Sequence, residues 1–197
     1  MHGRSGISLI ESLVVLSLLG IVAAIVLPSA ATMISGARAA AGARQMAMAL
    51  HAQRWTSVTR NARHGLYFVQ DSNGWLWYEV RDGNGNGLRT AEIEDGTDET
   101  LAGPRRLEWI VNDVTLGFPA AGPIPRIPPG TGYLSGLDDP VKFGASNIVS
   151  FSPFGSASSG TIYVTGGDDT LYGVLLFGPT ARVRVWRFDV STSRWSL

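Results

Sequence analysis

SGISLIESLVVLSLLGIVAAIVLP, residues 5–28, decides the architecture of this chain. From Ile7 to Leu27 the only ionisable side chain is Glu11. As a helix, that run is about 31 Å long at ~1.5 Å per residue, enough to cross a bilayer core. A carboxylate in such a span costs on the order of 2.5 kcal/mol if it sits unpaired at the helix centre, so Glu11 needs a partner or a function. A cleaved signal peptide usually has a shorter apolar core with a small-residue site after it. Here the small pair, Ser5-Gly6, comes before the run. Cleavage there would leave the apolar helix on the mature chain, with Ile7 as first residue and Glu11 about one helical turn from the new α-amino group.

The whole chain has 197 residues, room for one modest domain besides this anchor. It contains no Cys, so neither disulfides nor thiolate metal sites contribute. Net charge is zero, but its distribution is uneven. Residues 28–64 carry five arginines (Arg38, Arg44, Arg54, Arg60, Arg63) and no acid, whereas residues 71–100 carry eight acids against Arg81 and Arg89. The last twenty residues hold Arg182, Arg184, Arg187 and Arg194 against Asp189. A basic, acidic, basic layout points to head-to-neighbour contacts or to a polyanion at one end.

After Pro28 the pattern stays helical. Ile34, Ala37, Ala41, Met48, Ala52 and Trp55 recur at three- and four-residue spacing, interrupted by Gln45, and alanine is frequent. Pro28 should kink or interrupt the helix without ending it. Gly65 reads as its stop, preceded by Arg60, Arg63 and His64 at the negative end of the helix dipole. Residues 7–64 therefore read as one long helix, half in membrane (7–27) and half an amphipathic stalk (28–64) packed on a head domain (65–197). Gly20 and Ala24 form a small-xxx-small pair that permits close helix packing. From Leu66 the period changes to two, with strands expected at 66–70, 75–81, 107–116, 148–151, 161–165, 171–177 and 182–189. Residues 117–144, with six Pro and six Gly, read as a long loop. The expected fold class is α+β: a long N-terminal helix on an antiparallel β-rich head.

Two patterns in the head could carry chemistry. Asp82, Asn84, Asn86 and Gly87 match the opening of a calcium loop, in which oxygens alternate and a glycine permits the turn. The twelfth position, where a bidentate Glu belongs, is Ile93, with Glu92 and Glu94 on either side. A Gly/Asn-rich turn with a solvated acidic tail fits the same residues and is the reading preferred here, with calcium at Asp82, Asn84, Asn86 and Glu92 the minor alternative. Arg182 and Arg184, two apart, share one strand face with Trp186 beside them, while Arg187 points the other way. With Arg194 they could hold nucleic-acid phosphates while the indole stacks on a base, or they could be solvated charge guarding a strand edge. Catalysis finds little support. His2 precedes the apolar run, His51 and His64 lie on or near the helix, and no nucleophile elbow, phosphate loop or paired His ligands occur. The protein is expected not to be an enzyme.

The N-terminal pattern resembles the class III signal of type IV pilins and type II secretion pseudopilins: a short basic leader ending in Gly6, an apolar residue, Glu11, then an apolar run. Gly20 and Pro28 also fall where pilins often carry Gly and Pro, and Ile7 replaces the commoner Phe. The resemblance implies that a prepilin peptidase cuts between Gly6 and Ile7 and methylates the Ile7 amine. It also implies that Glu11 pairs with the amino terminus of a neighbouring subunit during assembly. In the head, "YEVRDGNGNGLRTAEIEDGTDETL" (78–101), "IVSFSPFGSASSGTIYV" (148–164) and "LYGVLLFGPTARVRVW" (171–186) are similar to the GspH/FimT family of minor pilins. The Gly-Arg-x-Arg of some FimT-like members appears here as Ala181-Arg182-Val183-Arg184. The resemblance implies a single-pass inner-membrane protein with a periplasmic head, built into a type II secretion pseudopilus or type IV pilus. Its partners would be other pilins, the peptidase and the inner membrane, with DNA in the case of an uptake pilin. Arg38 and Arg44 after the span outnumber Arg4 before it, which by charge alone would favour the opposite orientation. An unrelated single-span periplasmic anchor protein is the remaining alternative.

Overall fold

A computed structural model describes residues 9–119, 123–167 and 170–197, with side chains throughout except at 27–32. One helix, α1 (Leu9–Thr59, 51 residues), is followed by antiparallel strands, the α+β arrangement expected. The helix runs without a break through position 28. It ends earlier than Gly65. Asn61 adopts a left-handed conformation (φ 46°), its N–H bonds the Val58 carbonyl, and the Ala62 N–H bonds the Ser57 carbonyl. These two reversed bonds are a Schellman stop with Asn in the position that Gly usually takes. His64 and Gly65 instead open the first strand.

The strands form two sheets. β1 (His64–Asp71), β2 (Gly74–Arg81), β3 (Glu99–Arg105) and β6 (Ile148–Phe151) make a four-stranded sheet in the order β3-β2-β1-β6. β4 (Thr115–Leu116), β7 (Gly160–Thr165), β8 (Thr170–Phe177), β9 (Arg182–Asp189) and β10 (Arg194–Ser196) make the other, ordered β10-β9-β8-β7-β4, with β5 (Val141–Lys142) also on β7. Every pairing is antiparallel. Six of the seven expected strands coincide with observed ones to within two residues. The expected strand at 107–116 does not form. Residues Leu107–Trp109 make a 3-10 turn, and only Thr115–Leu116 pair. The interruption is Asp113, which is left-handed (φ 61°) and forms an ion pair with Arg38 of α1. β3 (Glu99–Arg105), by contrast, begins at the end of the acidic run, where no strand was expected. It is an edge strand with two register shifts against β2, and such irregular edges accommodate the backbone of Pro104.

The inner faces of both sheets and one face of α1 share a core that includes Met46, Leu50, Leu66, Phe68, Trp77 and Phe151, all almost fully buried. The helix face that enters it is not the expected stripe. Ala39, Gly42, Ala43, Met46, Leu50, Gln53 and Ser57 face the head, whereas Ile34, Ala37, Ala41, Met48, Ala52 and Trp55 face away and are exposed. The contact face mixes large apolar residues that enter the core, Met46 and Leu50, with small ones, Ala39, Gly42 and Ala43, where the helix lies close against the sheets. A Cβ at Gly42 would come within 2.5 Å of Val114 Cγ1. Gln53 Nε2 donates to Glu79 Oε2 at 2.9 Å.

A second, smaller core lies on the outer face of the six-stranded sheet. It uses part of the Pro-rich segment. Ile124 and Ile127 are buried against Tyr163, Leu171 and Phe188. Trp195 Nε1 donates to the Pro125 carbonyl at 2.7 Å, tying this strap to β10. A Cβ at Gly173 would lie 2.4 Å from Ile127 Cδ1, so the absent side chain on β8 is the socket for Ile127.

Candidate functional site

Three regions carry the residues singled out by the sequence. The first is the free half of α1. Leu9–Val26 is long and apolar enough to cross a membrane, and none of it is buried against the head. Glu11 sits in the first turns of this segment and is exposed there. Gly6 and Ile7 lie outside the described residues. Beyond the span, the exposed stripe continues at a spacing of seven through Ile34, Ala41, Met48 and Trp55. A seven-residue apolar repeat on a bare helix face is the pattern by which helices pack on other helices.

The second region is the Asp/Asn loop between β2 and β3. The fold brings Asp82, Asn84, Asn86 and Glu92 into one compact turn capped by a short helix, α2 (Thr90–Asp95). Asp82 accepts the Gly85 N–H at 2.6 Å and the Gly87 N–H at 2.8 Å, one on each oxygen. Glu92 accepts Asn86 Nδ2 at 2.9 Å and Asn84 Nδ2 at 3.1 Å. Arg89 Nη1 also donates to Glu92, at 3.3 Å. A further acid, Asp98, was not marked by the sequence motif. It is completely buried, and its two oxygens take the Gly83 N–H at 3.1 Å and the Arg89 N–H at 3.0 Å. The only signal for it was its place in the acidic run. A Cβ at Gly83 would lie 1.9 Å from the Thr97 carbonyl oxygen, so glycine is required where the two arms of the loop meet. The carboxylates of Asp82 and Asp98 thus serve main-chain N–H groups. Among the described residues, no group of three or more His, Cys, Asp or Glu side chains is arranged to hold a metal ion.

The third region is β9. Its register with β8 sets Arg182, Arg184 and Trp186 opposite Phe177, Leu175 and Gly173, on the outer face. Arg187 falls on the other face and, with Thr170, Tyr172 and residues of α1, lines a separate cavity. Arg194 pairs with Asp189 across β10–β9 and shares the face of Arg187. The four candidate arginines are therefore split in two pairs. Arg182 and Arg184 make no ion pair among the described residues. They border a cleft of about 250 Å³ walled by Pro128, Pro129, Leu175, Phe177 and Trp186.

One buried group belongs to none of these regions. His64, at the head of β1, is fully buried between its strand partners Arg81 and Phe151, and both ring nitrogens lack a hydrogen-bond partner. Burial, reinforced by the nearby charges of Arg60 and Arg81, holds its pKa below the usual histidine range.

Residues 1–27 match the family described as a prokaryotic N-terminal methylation motif. No curated protein and no solved structure matches the chain. The motif covers the exposed apolar segment of α1 and the residues before it, and it supports a type IV pilin-like protein held to a membrane by its N-terminal helix.

Proposed function

We propose that the chain is a minor pilin or pseudopilin of the GspH/FimT type, a structural subunit that initiates or caps a type IV pilus or a type II secretion pseudopilus. In this reading, a prepilin peptidase removes residues 1–6 and methylates Ile7. The apolar half of α1 holds the subunit in the inner membrane with the head in the periplasm, and Glu11 meets the amino terminus of a neighbour. Two opposite charges out of water stabilise one another only with good geometry, which makes such a pair a register device. The observation that carries the proposal is α1 itself. A methylation motif leads into a 51-residue helix whose first half is bare and whose second half keeps an apolar stripe turned away from its own head. A plain membrane anchor needs the first feature and has no use for the second. DNA capture is the weaker reading. It would rest on Arg182 and Arg184 alone, since Arg187 and Arg194 occupy the opposite face.

The test is co-expression of the full chain with a prepilin peptidase, followed by intact mass measurement. Loss of residues 1–6 with gain of one methyl group is expected, and an uncleaved product would overturn the proposal. Because the chain has no Cys, single-cysteine variants report assembly cleanly. Met48→Cys and Trp55→Cys should form cross-links to other pilin subunits in membranes carrying the assembly machinery, and Glu11→Ala should abolish them without blocking cleavage.

A further inference from the structure

β9 is longer than the strand that covers it. β10 pairs only with Arg187, Phe188 and Asp189. Residues 182–186 are paired to β8 on one side and, among the described residues, to nothing on the other. Along these five residues the main-chain N–H and C=O groups on the open side have no strand partner among the described residues, the template on which a further strand adds. The side chains along this edge alternate sharply. Arg182 and Arg184 rise on the outer face, while Val183 and Val185 turn inward and pack partly buried against the main core.

We propose that this edge takes an extended segment of a partner protein, added as a strand beyond β9, in which acidic and apolar residues alternate. The pattern follows from the pleat. A strand laid against residues 182–186 puts successive side chains on opposite faces, each beside its cross-strand neighbour. Its outer side chains meet Arg182 and Arg184, so carboxylates fit there. Its inner side chains meet Val183 and Val185, so apolar residues extend the core. The cleft strengthens the charged half of the match. Both guanidiniums stand beside the apolar walls of Leu175, Phe177, Pro128 and Pro129, where water is partly displaced and a carboxylate is held more firmly than at an open surface.

Charge also decides between occupants. A second copy of the same edge would set arginine beside arginine, which opposes pairing. Arginines do guard edges against such self-association. A nucleic acid strand would engage the guanidiniums and leave the main-chain groups of residues 182–186 unused. Only an acidic, alternating segment uses both features. Strand addition of this kind draws affinity from the main chain and specificity from alternate side chains.

The experiment uses the full chain in detergent micelles and a fluorescent peptide of alternating Glu and Val. Saturable binding is expected, weakened roughly tenfold or more in Arg182→Glu/Arg184→Glu and retained in Arg182→Lys/Arg184→Lys, because the charge-assisted contacts survive the second change. N-methylation of alternate peptide bonds separates strand addition from charge attraction. Methylating one alternate set should abolish binding, and methylating the other should leave it intact, since only one set faces β9. Equal binding of a Lys-Val peptide, indifference to both methylated forms, or binding of a single-stranded oligonucleotide with none of the Glu-Val peptide would each overturn the proposal. The last result would assign the two arginines to nucleic acid instead.

Discussion

Asp98→Ala tests whether buried carboxylates, and not a bound cation, organise the loop between β2 and β3. Asp98 is fully buried and accepts two main-chain N–H groups, from Gly83 at 3.1 Å and Arg89 at 3.0 Å. A hydrogen bond to a charged group contributes about 1.5–3 kcal/mol, and a donor left buried without a partner costs a comparable amount. Removing both bonds should therefore destabilise the head by ~3 kcal/mol, reduced to the extent that water enters the space vacated. With a urea slope of about 2 kcal/mol per molar, the unfolding midpoint should fall by ~1.5 M. The assay is tryptophan fluorescence of the full chain in detergent, with all six tryptophans outside the apolar span. Asp98→Asn keeps the shape but turns an amide N–H towards one of the two donors, so it should recover only part of the loss. A fall of less than ~0.5 M for Asp98→Ala, or full stability in Asp98→Asn, would refute the assignment of this carboxylate as the anchor.

Calcium at millimolar concentration should leave the wild-type melting temperature unchanged, because Asp82 already serves Gly85 and Gly87; a rise that disappears in Asn84→Ala/Asn86→Ala would assign a cation to the loop. His64 has its folded pKa depressed by burial, so the unfolded chain binds its proton first. Stability should hold above about pH 6.5, fall as the pH drops from there towards the folded pKa, and level off below it. His64→Leu should remove that part of the slope in melts run across the range. Trp195→Phe deletes the bond to the Pro125 carbonyl and should cost about 1 kcal/mol, with faster proteolytic cutting of the Pro-rich strap as the specific sign.

Much of the head was legible because its strands alternate. β6 and β9 have the same bounds in sequence and structure, since the first is a short apolar run and the second alternates charged with apolar or aromatic residues over most of its length. The failures have local causes. The run at 107–116 looked like one strand by composition, but Asp113 takes a left-handed turn and hands its carboxylate to Arg38, 75 positions away. β3 was hidden because an edge strand needs no apolar alternation, and its burial is slight throughout. The helix stop was misplaced because Gly65 is the commoner signal, whereas Asn61 fills the same left-handed role.

For the candidate sites, spacing along one strand was enough to place Arg182 and Arg184 together. It could not reach Asp98, whose role depends on the return of the chain from α2, nor the cleft beside β9, whose far wall is the Pro-rich strap. That strap carries no periodic pattern; the space above Gly173 that receives Ile127 and the Trp195 bond to the Pro125 carbonyl seat it.

The sequence by itself determined the apolar span, the position of Glu11 within it, the continuation of the helix past Pro28 and the alternating strands. Each of these is a local pattern whose physics is complete within a few turns or one pleat. Only the tertiary structure decided which face of α1 meets the head, and with it which face is left bare. Helical periodicity marks an apolar stripe but does not say what covers it. Here the head takes the face of Ala39, Ala43, Met46 and Leu50, where small residues allow close approach, and leaves Ile34, Ala41, Met48 and Trp55 bare. The open edge of β9 was likewise invisible, because whether a strand is covered depends on where the next one stops.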